Sequence, residues 1–264
     1  MNKTKIEWCD YTWNPVTGCW HGCSYCYAEK IANRFGAHLE DSNPHYRYKN
    51  ESRGWHSEEL HTADAPHFSP GGNITFPYDF EPTLYGYRLG EPAKMSTPRN
   101  IFVCSMADLF GDWIPDGWIT AVFRACEEAP QHRYFFLTKN PVRYAQLMWL
   151  NKLPCRDNMW YGTSVTAAKE MPDAFRCIDG SYNAFVSMEP MLKHPSVNYY
   201  DYWGIKWFIM GAETGNRKGK VIPDREWACT AAVLAKDHAA KVFMKESLLG
   251  IVGEENMLRE FPWQ

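Results

Sequence analysis

From Arg99 onward the sequence alternates short apolar runs with amphipathic stretches. Residues 101–105, 134–138, 159–165, 184–188, 207–210 and 242–244 are dense in aromatic and aliphatic side chains, which predicts buried strands. The intervening stretches 116–129, 142–150, 167–178 and 224–239 carry good helix formers with apolar positions three and four apart. Nearer the start, 11–14 is aromatic and β-branched and ends at Pro15, so it reads as a first short strand. Residues 28–35 read as a helix that stops at Gly36.

Buried strands separated by helices call for a parallel sheet with right-handed crossovers, here of about seven strands. The expected class is α/β, a partial or complete TIM-like (β/α) barrel formed as one domain over residues 1–264. The pattern dissolves only between residues 37 and 100. There Pro44, Pro66, Pro70, Pro77, Pro82, Pro92 and Pro98 interrupt it, and no strict period survives. This stretch is expected to be an irregular insertion over one end of the main fold. It holds five of the nine histidines, His38, His45, His56, His61 and His67, at spacings unlike a metal site.

Polar residues follow each strand. They are Ser105 and Asp108, Thr138 and Lys139, Thr163 and Ser164, Ser187 and Glu189, Glu213 and Thr214, and Lys245 and Glu246. In α/β barrels the carboxyl ends of the strands form the active-site face, so the repetition over successive strands points to a functional face.

Length and composition leave this picture standing. A chain of 264 residues with 45% hydrophobic side chains can bury one large core. The net charge of −3 gives no bulk attraction to nucleic acid, although a local basic groove remains compatible with it. The start of the chain has no apolar signal segment and no stretch reads as a membrane span, so a soluble, cytoplasmic protein with no membrane partner is expected. Nine cysteines in a reducing compartment then argue against a disulfide framework. Cys104, Cys126, Cys155, Cys177 and Cys229 read as small apolar residues, several of them buried.

Cys19, Cys23 and Cys26 are different. They fall in the run Gly18-Cys19-Trp20-His21-Gly22-Cys23-Ser24-Tyr25-Cys26-Tyr27-Ala28, with the spacing C-x3-C-x2-C. Three thiolates on one tight loop leave a structural zinc site one ligand short, unless His21 or Cys9 supplies the fourth. They suffice to hold three irons of a 4Fe–4S cluster and leave the fourth iron open to a small molecule. Cys9 is close enough in sequence to be a further ligand or a radical relay.

The run Gly-Cys-x-x-Gly-Cys-x-Tyr-Cys-Tyr-Ala resembles the cluster loop of radical S-adenosylmethionine (SAM) enzymes, and the loop from Asn14 to Ala28 is also similar to that of the spore photoproduct lyase and its DNA-repair relatives. More of the chain is similar to phage-associated, three-Cys-motif radical-SAM-like proteins of unassigned function. The residues that carry this likeness are Ile6-Glu7-Trp8, Thr12 to Cys19, Ser105 to Phe110, Leu137 to Pro141, Ser187-Met188-Glu189-Pro190 and Gly211 to Gly215.

The resemblance implies a radical SAM type of barrel whose metal ligands are Cys19, Cys23 and Cys26 and whose cofactors are a 4Fe–4S cluster and SAM. One electron from an external donor would cleave SAM, and the 5′-deoxyadenosyl radical would remove a hydrogen atom from an unidentified substrate. Tyr25 would pack near the adenine. The family's usual Gly-Gly-Glu is absent, and Ser105 or Asp108 stands in its place. Ser164 is a candidate for ribose or carboxylate contact, and Glu189 and Glu213 for ribose hydroxyls or substrate. Gly211 would admit close backbone approach to the adenine. Lys139 and Lys245 can pair with a carboxylate or phosphate, and together with Glu189 are the catalytic candidates.

Two alternatives accompany this expectation. One is a lyase or modifying enzyme acting on a nucleic-acid base, suggested by the repair-like loop and by Tyr46-Arg47-Tyr48-Lys49 with Arg53 and Trp55, an aromatic and basic mixture suited to unpaired bases or a nucleotide. The other is a non-catalytic iron–sulfur protein, suggested by the missing Gly-Gly-Glu.

Overall fold

The computed structural model describes residues 1–36, 49–50, 54–55, 60–69, 72–166, 178 and 180–264. The chain divides into two compact units, Met1–Tyr134 and Phe135–Gln264.

In the first unit, β1 (Asn2–Lys3) pairs antiparallel with β2 (Tyr11–Trp13), and β3 (Asn100–Val103) lies parallel to β2 with Ile101 opposite Tyr11 and Val103 opposite Trp13. Strand order runs β1-β2-β3 and continues to β4 (Arg133–Thr138), whose first two residues belong to this unit. Trp13 is fully buried, and its indole N–H donates to the Arg88 carbonyl at 2.9 Å. Helix α1 (Tyr27–Phe35) follows the cysteine loop, and α2 (Asp116–Glu127) connects β3 to β4. Helix α2 buries Trp118, Ile119, Val122, Phe123, Ala125 and Cys126, a stripe repeating at three and four residues, as a one-sided helix requires.

The described part of the insertion carries regular elements that its composition does not suggest. Val16–Thr17, Thr83–Tyr85 and His61–Ala63 form a second, three-stranded sheet with Thr83–Tyr85 in the middle. His67–Ser69 and Gly72–Ile74 form a hairpin. Strands of three residues are too short to show alternation, which is why the sequence pattern misses them. Strand β1 escapes for the same reason: Asn2 and Lys3 have no apolar signature and are paired by backbone alone.

In the second unit the order is β4, β5 (Met159–Ser164), β6 (Asn183–Met188), β7 (Ile205–Met210) and β8 (Lys241–Met244). The registered pairs β5–β6, β6–β7 and β7–β8 are parallel. Helices α3 (Val142–Trp149) and α4 (Arg225–Asp237) match the expected crossovers. The expected helix at 167–178 lies almost wholly outside the described residues.

Side chains alternate across this sheet with the period of two that strands impose. One face carries Phe136, Tyr161 and Phe208, and helix α3 covers part of it through Tyr144, whose ring lies 5.4 Å from Tyr161. The other face carries a continuous aromatic layer: Phe135, Trp160, Phe185, Trp207 and Phe243, with ring centroids about 6 Å apart. The end of the chain closes over this layer. Met244 N–H donates to Leu258 O and Glu260 N–H to Val242 O, so the tail pairs antiparallel with β8 and covers its edge. The Trp263 ring then sits 5.4 Å from Phe135, 5.5 Å from Trp160 and 5.3 Å from Trp207. No helix among the described residues is long and apolar enough to cross a membrane.

Candidate functional site

The cysteine loop hangs between the short strand Val16–Thr17 and α1. Gly18 sets its entry. Its φ is +88°, its N–H donates to the Met106 carbonyl at 2.9 Å, and a Cβ there would stand 2.2 Å from the Glu81 carbonyl oxygen. Only glycine fits such a backbone approach. The next residue, Cys19, donates its N–H to Phe80 O at 3.2 Å, and the Trp20 indole donates to the Glu81 carboxylate at 2.7 Å. The exit is a turn closed by Cys26 N–H to Cys23 O at 3.0 Å. Cys26 is also the N-cap of α1: its sulfur accepts the Glu29 N–H at 3.3 Å. The positive end of the helix therefore faces that sulfur.

All three cysteines are free thiols and partly buried. Cys19 and Cys26 pack against an apolar bed of Ala28, Ala32, Phe76, Phe80 and Met106. Burial, and then the neighbouring Asp108 carboxylate, push the Cys19 thiol far above its ordinary range, so a thiolate there needs a cation to share the site. Among the described residues, no three His, Cys, Asp or Glu side chains converge closely enough to hold a single metal ion. Three free thiols on an apolar bed, with an N–H to one sulfur, fit a cluster.

The loop is strapped from outside by His21, whose Nε2 lies 2.7 Å from Asp108 Oδ2 and whose ring meets Trp113 edge-on at 4.9 Å. Asp108 is buried, and its other oxygen accepts the Phe110 N–H at 3.0 Å. Ser105 Oγ donates to Asn14 Oδ1 at 3.2 Å, and the same oxygen accepts Met106 N–H at 3.1 Å. The Tyr27 hydroxyl donates to the Ser105 carbonyl at 2.6 Å. The first unit thus gathers Ser105 and Asp108 around the cysteine loop, with Tyr25 half-buried on it. Asn14, Tyr27 and Trp113 were not among the expected site residues. Their only sequence signal is adjacency to the motifs Trp13-Asn14-Pro15, Cys26-Tyr27-Ala28 and Ser105 to Phe110. Cys9 is buried in the turn before β2, where its sulfur faces Ile6 O at 4.0 Å.

The second unit gathers another polar set. Ser164 and Ser187 are direct neighbours in the β5–β6 register, on the face that carries the aromatic layer. Beyond them Lys245 pairs with Glu189. Gly211 sits against the pair, where a Cβ would lie 3.2 Å from Glu189 Cγ and 3.3 Å from Lys245 Cδ. Ser247 Oγ accepts the Ala212 N–H at 3.0 Å. Thr138 Oγ1 accepts Asn140 N–H at 2.9 Å, and Lys139 between them is half-buried. Glu213 points elsewhere: its buried carboxylate is held by Arg217 at 2.5 and 2.7 Å and accepts the Val221 N–H at 3.2 Å.

This parallel α/β architecture is that of spore photoproduct lyase. The lyase complexed with dinucleoside spore photoproduct superposes with a TM-score of 0.58 at 12% identity, over 92% of this chain and 79% of that one. A cysteine-to-alanine variant with the same dinucleoside gives a TM-score of 0.56 at 12% identity, and a cysteine-to-serine variant 0.55 at 13%, with the same coverage. No curated protein matches the chain. The chain belongs to the family described as "Protein of unknown function (DUF5131)", which matches residues 3–250.

Proposed function

We propose that this protein is a radical SAM enzyme in which Cys19, Cys23 and Cys26 hold a 4Fe–4S cluster. The observation that carries the reading is the loop itself: three free thiols on one turn, over an apolar bed, with α1 capped by one of the sulfurs. The likeness of the fold to spore photoproduct lyase over 92% of the chain supports it, and the architecture we propose with it is a TIM-like barrel, partial or complete. When bound, the reduced cluster and SAM supply one-electron cleavage of the sulfonium, which starts hydrogen-atom removal from substrate.

The chain's own part is positional. Gly18 and the Asn14–Ser105–Met106 bonds fix the loop against the end of β3. Asp108 holds His21, so in this reading its role is to brace the loop, and Ser105 and Tyr25 are the candidates for SAM contact in the first unit. In the second unit Ser164 offers a hydroxyl, the Glu189–Lys245 pair offers an acceptor and a donor, Gly211 leaves room for a flat group, and Lys139 offers a cation. The apolar bed keeps water from Cys19 and Cys26.

A second reading narrows the substrate to a nucleic-acid base or nucleotide. It draws on the solved lyase complexes, which contain a dinucleoside photoproduct. The aromatic and basic run at 46–49, with Arg53, lies mainly outside the described residues.

Oxygen-free reconstitution tests the first reading. The wild-type chain should take up about four irons and, with dithionite and SAM, release 5′-deoxyadenosine. Cys23→Ala should lose both. A cluster that forms without cleaving SAM would favour a non-catalytic iron–sulfur protein, and iron uptake that survives Cys23→Ala would refute the ligand set.

A further inference from the structure

We propose that the loop from Glu213 to Val221 is a phosphate-binding element that holds the backbone of a nucleic-acid strand. This rests on the nucleic-acid form of the reading above and specifies where the strand is gripped. The loop leaves the carboxyl end of β7, the side on which parallel α/β sheets bind ligands. It is closed on itself from within. Arg217 binds the Glu213 carboxylate through Nε and one terminal nitrogen, and that same nitrogen donates to the Gly219 carbonyl at 3.1 Å. Glu213 also receives Val221 N–H, and Lys220 N–H donates to Arg217 O at 3.1 Å. One buried carboxylate and one guanidinium therefore tie together the first, middle and last residues of the loop.

Glu213 pairs with Arg217 while Lys220 also lies in the field of that carboxylate, so the loop keeps a net positive charge carried by Lys218 and Lys220. Both are exposed, and among the described residues neither is in an ion pair. Thr214 and Asn216 are exposed beside them and add hydroxyl and amide donors. A chain with a net charge of −3 has no general attraction for polyanions, so two exposed ammonium groups on a braced loop are a local feature. Ammonium groups at sequence positions two apart on a braced turn suit phosphate oxygens, and they place a strand without reading its bases. Long cationic side chains lose less freedom on binding when the backbone beneath them is already fixed.

The test uses the full-length, anaerobically reconstituted chain and a fluorescein-labelled single-stranded DNA of about twelve nucleotides. Anisotropy is followed between roughly 50 and 200 mM salt. Wild type should bind with a salt dependence that the double variant Lys218→Gln/Lys220→Gln lowers by about 1.4 in log–log slope, two contacts at about 0.7 each, with roughly tenfold weaker binding. Glu213→Gln should also weaken binding even though it removes a negative charge. Tighter binding by that variant would show that charge, and not bracing, governs the loop. A double variant that binds with unchanged affinity and slope overturns the loop assignment and leaves the nucleic-acid reading intact. A wild-type chain that ignores the strand overturns both. If thymidine monophosphate competes as strongly as the strand, the ligand is a free nucleotide and the strand assignment fails.

Discussion

His21 and Asp108, 87 residues apart in sequence, meet at 2.7 Å, so the residue midway between the first two cysteines is anchored to the loop that follows β3. Asp108 as a residue has only 4% exposure, and its carboxylate also serves the Phe110 N–H. Removing it orphans a buried donor and frees the cysteine loop. Asp108→Ala should cost the apo chain about 2 kcal/mol in urea unfolding. It should also broaden the EPR signal of the reconstituted cluster, which a purely structural change elsewhere would leave alone.

Gly18 allows a second prediction. With φ at +88° and the Glu81 carbonyl where a Cβ would go, Gly18→Ala has no low-energy way to close the loop. A loss of about 3 kcal/mol is expected, together with iron content well below wild type after reconstitution.

Buried thiols elsewhere should be inert. Burial pushes Cys104 up to about 12 and raises Cys126 in the same direction. The native chain at pH 8 should react with iodoacetamide at the exposed Cys155 and Cys229, and not at Cys104 or Cys126, until denaturant is added. The linked effect on stability has a definite sign. The unfolded thiols ionise near pH 8.5 while the folded ones stay protonated. Stability should therefore fall as pH rises from about 8.5 towards 12. Alkaline unfolding of Cys104→Ser should show a shallower fall.

The Glu213 carboxyl titrates the other way. Hydrogen bonds from Arg217 hold it below the ordinary glutamate range. The loop brace should thus survive acidification through the usual glutamate value near 4.3 and be lost only below it. Carbon-13 NMR of the side-chain carboxyl should place the Glu213 midpoint beneath that of a glutamate in a short unstructured peptide; a midpoint at or above that reference would contradict the brace.

The tail packs as a half-buried cover on the aromatic layer of the second unit, although it lies past the end of the family match at residue 250. Trp263→Ala removes the ring contacts to Phe135, Trp160, Trp207 and Phe261 and should destabilise the chain by about 3 kcal/mol in urea unfolding.

What the sequence discloses follows from how far each signal extends. Buried parallel strands are apolar on both faces, so β3 to β8 stand out as runs, and the helices between them as a change of period. The cysteine spacing is a local property and is legible as written. Long-range pairings are not. Nothing in the spacing announces that His21 reaches Asp108 or that Tyr27 reaches the Ser105 carbonyl. The two-residue and three-residue strands of the first unit are fixed by partners distant in sequence, and the Phe261–Trp263 plug resembles a polar-flanked tail until the layer beneath it is known.

Cys26 has two duties at once, since its sulfur closes the first turn of α1 and is one of the three proposed iron ligands. Oxidation of that atom would therefore loosen the helix as well as the proposed cluster. Proteolysis near Glu29 becomes a gauge of how much of a preparation is intact, readable on a gel before any assay of turnover is attempted.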